Sequence, residues 1–319
     1  MKCSYPQALT ASAEAVFGSA SRGDVDAMSD RDILIVDDDV AILRERSRVL
    51  TKAGWSVASY TFAKLDALSQ RGALFIQHIK LESTVLVDQD GRLAAKLAAF
   101  TPRLSYADEI RENSALAGLA GCTPIGSRGT LLAADILYVT IRNFGVLSLA
   151  EHGIHLFAYN AVIEALESNG FIAPGGARAL AALRFLKCLY RAGESSKGHN
   201  AFHAVQQALA VLPNDHFPSK LCVVSADKIL MSSAPPRTAP AYLQLRDLER
   251  RFVALQGVKL DDELDEKLRI LSRWIENPRA YATLSSRLAP VLRKAMVRYI
   301  QQKRPKDAIL NDEAAVASK

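Results

Sequence analysis

An α+β fold is predicted for this chain of 319 residues, and three observations predict it. In the first hundred residues short β-branched runs alternate with segments of helical period. From about residue 104 the apolar residues recur only with the 3.6-residue spacing of helices. Between Ser232 and Pro240 the stretch Ser-Ser-Ala-Pro-Pro-Arg-Thr-Ala-Pro interrupts that pattern and reads as a linker. The expected organisation is an alternating domain over 1–100, a helical domain over 101–231, a linker over 232–240 and a helical extension over 241–319.

Each element has its own warrant. After a short N-terminal helix, Ala15-Val16-Phe17 reads as the first strand, and Ile33-Leu34-Ile35-Val36 as the second. Val40 to Ala53 has helical spacing, with Ile42, Leu43, Val49, Leu50 and Ala53 as its inner face, and Gly54 stands where a helix ends in the left-handed region. Ser56 to Tyr60 alternates as a third strand, Phe62 to about Lys80 is periodic as a helix, and Thr84 to Val87 is a fourth strand closed by the turn signal Asp88-Gln89-Asp90-Gly91. Leu131–Val146, Ala150–Ser168, Ala177–Arg191 and Ala201–Leu212 follow as helices, with more from Tyr242 to Ile300.

The chemistry-bearing pattern is Gly18-Ser19, ten residues, then Asp30-Arg31-Asp32 at the entry of the second strand. Residues two apart on a strand face the same way, so the two carboxylates emerge together. Like charges held that close are unfavourable unless a cation bridges them. Mg²⁺ takes oxygen ligands, commonly one or two carboxylates plus substrate phosphates. A glycine before a helix start lets the backbone turn tightly and present free N–H groups to a phosphate. The plain alternative is a glycine turn followed by the acidic end of an ordinary strand.

With these residues the segment of about 10–100 resembles the nucleotidyltransferase superfamily with the polymerase-β-like palm, and its minimal and aminoglycoside-type members in particular. Gly18, Ser19, Asp30 and Asp32 match the family pattern, and Arg22-Gly23-Asp24 and Ser29 match its neighbours. The resemblance implies a small mixed-sheet palm followed by a helical domain. It implies an enzyme that holds Mg²⁺ or Mn²⁺ on Asp30 and Asp32 and binds a nucleoside triphosphate, ATP first among them, through Gly18, Ser19 and Arg22. A nucleoside monophosphate then passes to an acceptor that is a small molecule, a protein or a nucleotide. The family carries a third carboxylate on the strand after the next helix. Trp55-Ser56-Val57-Ala58-Ser59-Tyr60-Thr61 contains none, and the expected acid falls near Ala58. Either Glu82 or Asp88, which flank the fourth strand, replaces it, or the acceptor needs no strong base, or the chain binds nucleotide as a regulator. Asp37-Asp38-Asp39, Gly54-Trp55 and Val85-Leu86-Val87-Asp88 also resemble a phosphoacceptor receiver domain, but the later lysine-proline is missing and Gly18-Ser19 has no role there. The triple acid is more simply a helix N-terminal cluster.

The remaining features bound the function. The formal charge is +6, which suits a polyanionic ligand such as a triphosphate. The basic cluster Arg293, Lys294, Arg298, Lys303, Arg304 and Lys306 reads as a solvated helix face in preference to a nucleic-acid surface. In the helical part Tyr138, Arg142 and Asn143 form one group, and Lys187, Tyr190 and Arg191 another; an arginine suits phosphate, but a surface or interdomain salt bridge is the preferred reading. His152/His155 and His199/His203 have helical spacing without a third metal ligand in register. Cysteines 3, 122, 188 and 222 form no Cys-x-x-Cys and read as reduced, mostly buried thiols. No apolar run of about 20 residues and no signal-peptide core is evident, so a cytoplasmic protein without membrane contact is expected.

Overall fold

The computed structural model describes residues 10–26, 28–193, 200–236, 238–256, 290–291, 293–299 and 301. Its contacts divide the chain into two compact units. The first comprises Met1–Ser114, Tyr138–Phe185 and Val211–His216, and the second comprises Ala115–Leu137, Leu186–Ala210 and Phe217–Lys319.

The first unit is built on a four-stranded sheet. Strand β1 (Ala13–Phe17) leads through α1 (Ser19–Arg22) to β2 (Asp32–Val36), which pairs antiparallel to β1 with Phe17 opposite Asp32. Helix α2 (Val40–Lys52) reverses the chain, so that β3 (Ser56–Tyr60) lies parallel to β2 with Asp32 opposite Ser56. Helices α3 (Phe62–Gln70) and α4 (Leu74–Glu82) precede β4 (Ser83–Asp88), which pairs antiparallel to β1 on its other side. The order is β3-β2-β1-β4. Two of its three pairings are antiparallel, so the all-parallel sheet of a receiver domain is not formed.

Strand alternation sorts the side chains between two layers. Ala13, Ala15, Phe17, Leu34 and Val36 face α3, α4 and α5 (Arg92–Ala99), where Phe62, Leu65, Ile76, Ile79 and Leu93 complete a core. Ile33 and Ile35 face α2 and pack with Leu43, Leu50 and Trp55. Glu14 lies in the interior of this second layer. Its carboxylate accepts two 2.8 Å bonds from the Arg46 guanidinium and a third from Ala11 N–H, and both side chains are fully buried. Asp39 caps α2 by accepting from Ala41 and Ile42 N–H, as the acidic cluster predicts.

Beyond the sheet lie α6 (Ala107–Gly118), strand β5 (Cys122–Pro124), α7 (Ser127–Glu151), α8 (Tyr159–Ser168), α9 (Gly176–Arg191) and α10 (Ala201–Ala210). Strand β6 (Cys222–Val224), α11 (Ala226–Leu230) and α12 (Ala241–Gln256) follow. In the second unit β5 and β6 form a two-stranded parallel sheet packed on Ile229, Leu230 and Phe252. Asp135, fully buried, accepts from Arg191 and Arg246, and the charge of these guanidiniums outweighs burial and holds its carboxyl below the usual range.

Several elements differ from the sequence expectation. The single helix over Phe62 to Lys80 is two helices, parted at Gly72, whose φ is 61° and where a Cβ would meet Arg103 Cγ at 2.3 Å. The helix expected from Ala150 begins at Tyr159, because α7 runs on to Glu151. Helix α5 and the β5–β6 pair were not foreseen; strands of three residues are too short to show alternation. Helix α7 has 25 residues and an apolar stretch long enough to cross a membrane by length and composition, although 67% of that stretch is buried. Cys122, Cys188 and Cys222 are half-buried, each the greater part covered. The N-terminal helix, Cys3, His199, most of the expected extension beyond residue 256 and the basic residues Lys303, Arg304 and Lys306 lie outside the described residues.

Candidate functional site

The two halves of the motif meet at one end of the sheet. Phe17 pairs with Asp32 across β1 and β2, so Gly18 follows directly beside the entry of β2. Gly18 has φ 65°, a conformation that favours glycine. A Cβ placed there would stand 3.6 Å from Asp32 Oδ2 and 3.9 Å from His78 Cε1 and Nε2. The residue thus leaves a small gap beside the carboxylate. Ser19 opens the four-residue α1, in which Ser21 and Arg22 N–H donate to the Gly18 carbonyl at 3.1 and 3.0 Å. The Ser19 hydroxyl donates to the carbonyl of Asp30 at 3.2 Å, tying the turn to the acidic pair.

Asp32 is half-buried and Asp30 exposed. Burial pushes the Asp32 carboxyl above the usual carboxylate range; the Asp30 charge adds to this, while the Ser56 hydroxyl, Arg142 and His78 oppose it. The loop before Asp30 is clamped. Arg184 on α9 donates to both oxygens of Asp26 at 2.7 and 2.8 Å and to Ser29 Oγ at 3.2 Å. Hydrogen bonds from Ser29 and Arg184 hold the Asp26 carboxyl down at about 2.

The register relocates the missing acid. Ala58 pairs with Leu34 and packs against the apolar core, one step inside the sheet. Ser56 is the residue opposite Asp32, and its hydroxyl lies near enough to lower the pKa of that carboxyl. A third carboxylate of β3 beside Asp32 belongs at Ser56, two residues before the expected position.

Neither proposed substitute adjoins β3, because β4 lies on the opposite edge of the sheet. Asp88 pairs with Ala13 at the far end of β1, about 13 Å of strand from Phe17. Its carboxylate caps α5 through Leu93 and Ala94 N–H, a purely local role. Glu82 is closer: its carbonyl accepts from Gly18 N–H at 3.2 Å. Its carboxylate, however, is taken by Arg22 Nη1 and lies 3.3 Å from His78 Nε2. Burial raises the Glu82 pKa, but His78 and the Arg22 guanidinium beside it prevail and hold it below the usual range. Arg22, expected on phosphate, is thus held by Glu82 and, at 3.1 Å, by Asp24.

Sequence reasoning did not single out His78, Ser56 or Arg184. His78 precedes Glu82 by four residues on α4, stacks on Phe157 at 4.4 Å and meets Phe17 edge-on at 5.3 Å. Its i,i+4 spacing to Glu82 is legible in the sequence, whereas the roles of Ser56 and Arg184 depend on register and long-range packing. Arg142 donates from Nε to the Phe157 carbonyl at 3.1 Å and lies close enough to Asp32 to lower its pKa. Neighbouring Tyr138 stacks with Tyr159 at 4.3 Å. In the second group Tyr190 donates to Glu249 and Arg191 to Asp135, so both side chains serve the buried network of the second unit.

Among the described residues no group of three or more His, Cys, Asp or Glu gathers to hold a metal ion. His152 Nδ1 instead lies 2.9 Å from the Ser148 carbonyl. What the protein offers a cation is the Asp30–Asp32 pair, a two-carboxylate set that fits a hard divalent ion whose other ligands are phosphate oxygens and water. No family model, curated protein or solved structure matches this chain.

Proposed function

We propose that the chain is a metal-dependent nucleotidyltransferase that moves a nucleoside monophosphate from a nucleoside triphosphate, ATP first among them, to a small-molecule, protein or nucleotide acceptor. One observation carries this reading. A Cβ built on Gly18 would stand 3.6 Å from Asp32 Oδ2, so the turn and the carboxylate, 14 residues apart in the chain, are neighbours in space. A backbone turn able to approach phosphate thereby adjoins a carboxylate pair whose repulsion a cation would relieve. Asp30 and Asp32 would hold Mg²⁺ or Mn²⁺, which when bound neutralises charge on the transferring phosphate. The Gly18-Ser19 turn holds the leaving phosphates. A bond forms between the acceptor oxygen and the α-phosphorus, and the bond to the departing pyrophosphate breaks. Ser56, a neutral hydroxyl, stands where a third carboxylate would take the acceptor's proton, so water takes it. Transfer by this chain is therefore slow or confined to acidic acceptors.

The same Ser56 favours a second reading, a nucleotide-binding regulator of a partner protein with little turnover. Incubation with each α-labelled nucleoside triphosphate and Mg²⁺, with and without cell extract, separates the two. Label on a metabolite, a protein or a nucleotide, lost in Asp30→Asn and Asp32→Asn, supports transfer. Metal-dependent nucleotide binding without label transfer supports the regulator. Nucleotide affinity unchanged in Gly18→Val would refute both, since each needs the turn to approach phosphate.

A further inference from the structure

We propose that Cys122 and Cys222 form a redox-sensitive thiol pair, in which two half-buried cysteines about a hundred residues apart in sequence stand opposite each other on adjacent parallel strands and close reversibly to a disulfide. The ladder of β5 and β6 pairs Cys122 with Cys222, Thr123 with Val223 and Pro124 with Val224, and it continues through a 2.9 Å bond from Ile125 N–H to the Val224 carbonyl. Neighbouring strands run about 4.8 Å apart, inside the range of about 4.4–6.8 Å between Cα atoms that a disulfide spans. Paired residues project to the same side of a sheet. Cys122 and Val224 both pack on the Ile229, Leu230 and Phe252 cluster, which identifies the side that Cys222 shares. Arg250 fixes β5 by donating from Nη1 to the Cys122 carbonyl at 3.2 Å, so the strand is held in register independently of its thiol.

The co-reactant is a peroxide. One thiol attacks the peroxide, its sulfur taking up OH as water leaves and becoming a sulfenic acid. The second thiol then displaces that OH as a further water, and the sulfur–sulfur bond forms. The two thiols supply the two electrons and one hydroxyl's worth of hydrogen each, so two waters form per disulfide. A dithiol reductant reverses the step.

The test uses the full chain under native conditions with one equivalent of hydrogen peroxide. The expected result is loss of two of the four titratable thiols and a tryptic species joining fragments 112–128 and 221–228. That species should disappear with dithiothreitol, persist in Cys188→Ser and be absent from Cys222→Ala. Because the wild-type peptide map reports the linkage directly, the result stands even where a variant folds poorly. A link through Cys3 or Cys188 instead, conversion to sulfinic acid without a link, or retention of all four thiols would overturn the proposal.

Discussion

Placing the third carboxylate where the strand register puts it offers a sharp test of the site. In Ser56→Asp the new acid faces Asp32 across the β2–β3 pair. The polar contact of the Ser56 hydroxyl with Asp32 is lost, at no more than about 0.5–1.5 kcal/mol. Two full charges 4 Å apart repel by about 4 kcal/mol at an effective dielectric constant of 20, and proton uptake by one carboxyl caps the cost below that. Without metal the variant should therefore melt below wild type. Mg²⁺ relieves the repulsion, and at a hundred times its dissociation constant it contributes about 2.7 kcal/mol. For a folded unit of 150–250 residues each kcal/mol moves the melting temperature by about 2–4 °C, so a Mg²⁺-dependent rise of about 5–10 °C is expected by differential scanning calorimetry. Ala58→Asp is the control. It sets a carboxyl at the edge of the apolar core, opposite Leu34, and loses stability that Mg²⁺ does not restore. A Mg²⁺ shift in Ser56→Asp no larger than in wild type, or equal in the two variants, would refute the placement of the metal pair at this end of the sheet.

Two further outcomes follow from buried carboxylates. Asp32 has a pKa raised by burial, so it binds a proton more tightly folded than unfolded, and its contribution to stability falls as pH rises from its ordinary value of 3.8 through the raised one. In metal-free urea titrations Asp32→Asn should gain on wild type across that window and hold the gain at neutral pH; a gap that shrinks with rising pH would contradict the assignment. Glu14→Gln removes the buried carboxylate that Arg46 Nε and Nη2 bind and should cost about 3–5 kcal/mol, whereas Glu14→Leu with Arg46→Met should recover most of it. A loss below about 1 kcal/mol in the single variant would show that the 2.8 Å bidentate pair is not what holds β1 to α2.

The sequence by itself determined the four strands and helix α2 of the first hundred residues, because each buries one face and so writes a period of 2 or 3.6 into its apolar residues; it ran α3 and α4 together and did not show α5. It also determined that Gly18 precedes a helix start, since that depends only on local geometry. Only the tertiary structure decided what stands beside these residues. Strand order and register are set by packing between elements distant in the chain, and they moved the third-acid position from Ala58 to Ser56, took Asp88 to the far end of β1 as a helix cap and tied Glu82 to Arg22 and His78. The same long-range pairing set Cys122 against Cys222, a juxtaposition that strands of three residues cannot announce. A side chain's neighbours along one strand or helix follow from periodicity. Its neighbours across the sheet follow from burial summed over the whole unit, which no local spacing records.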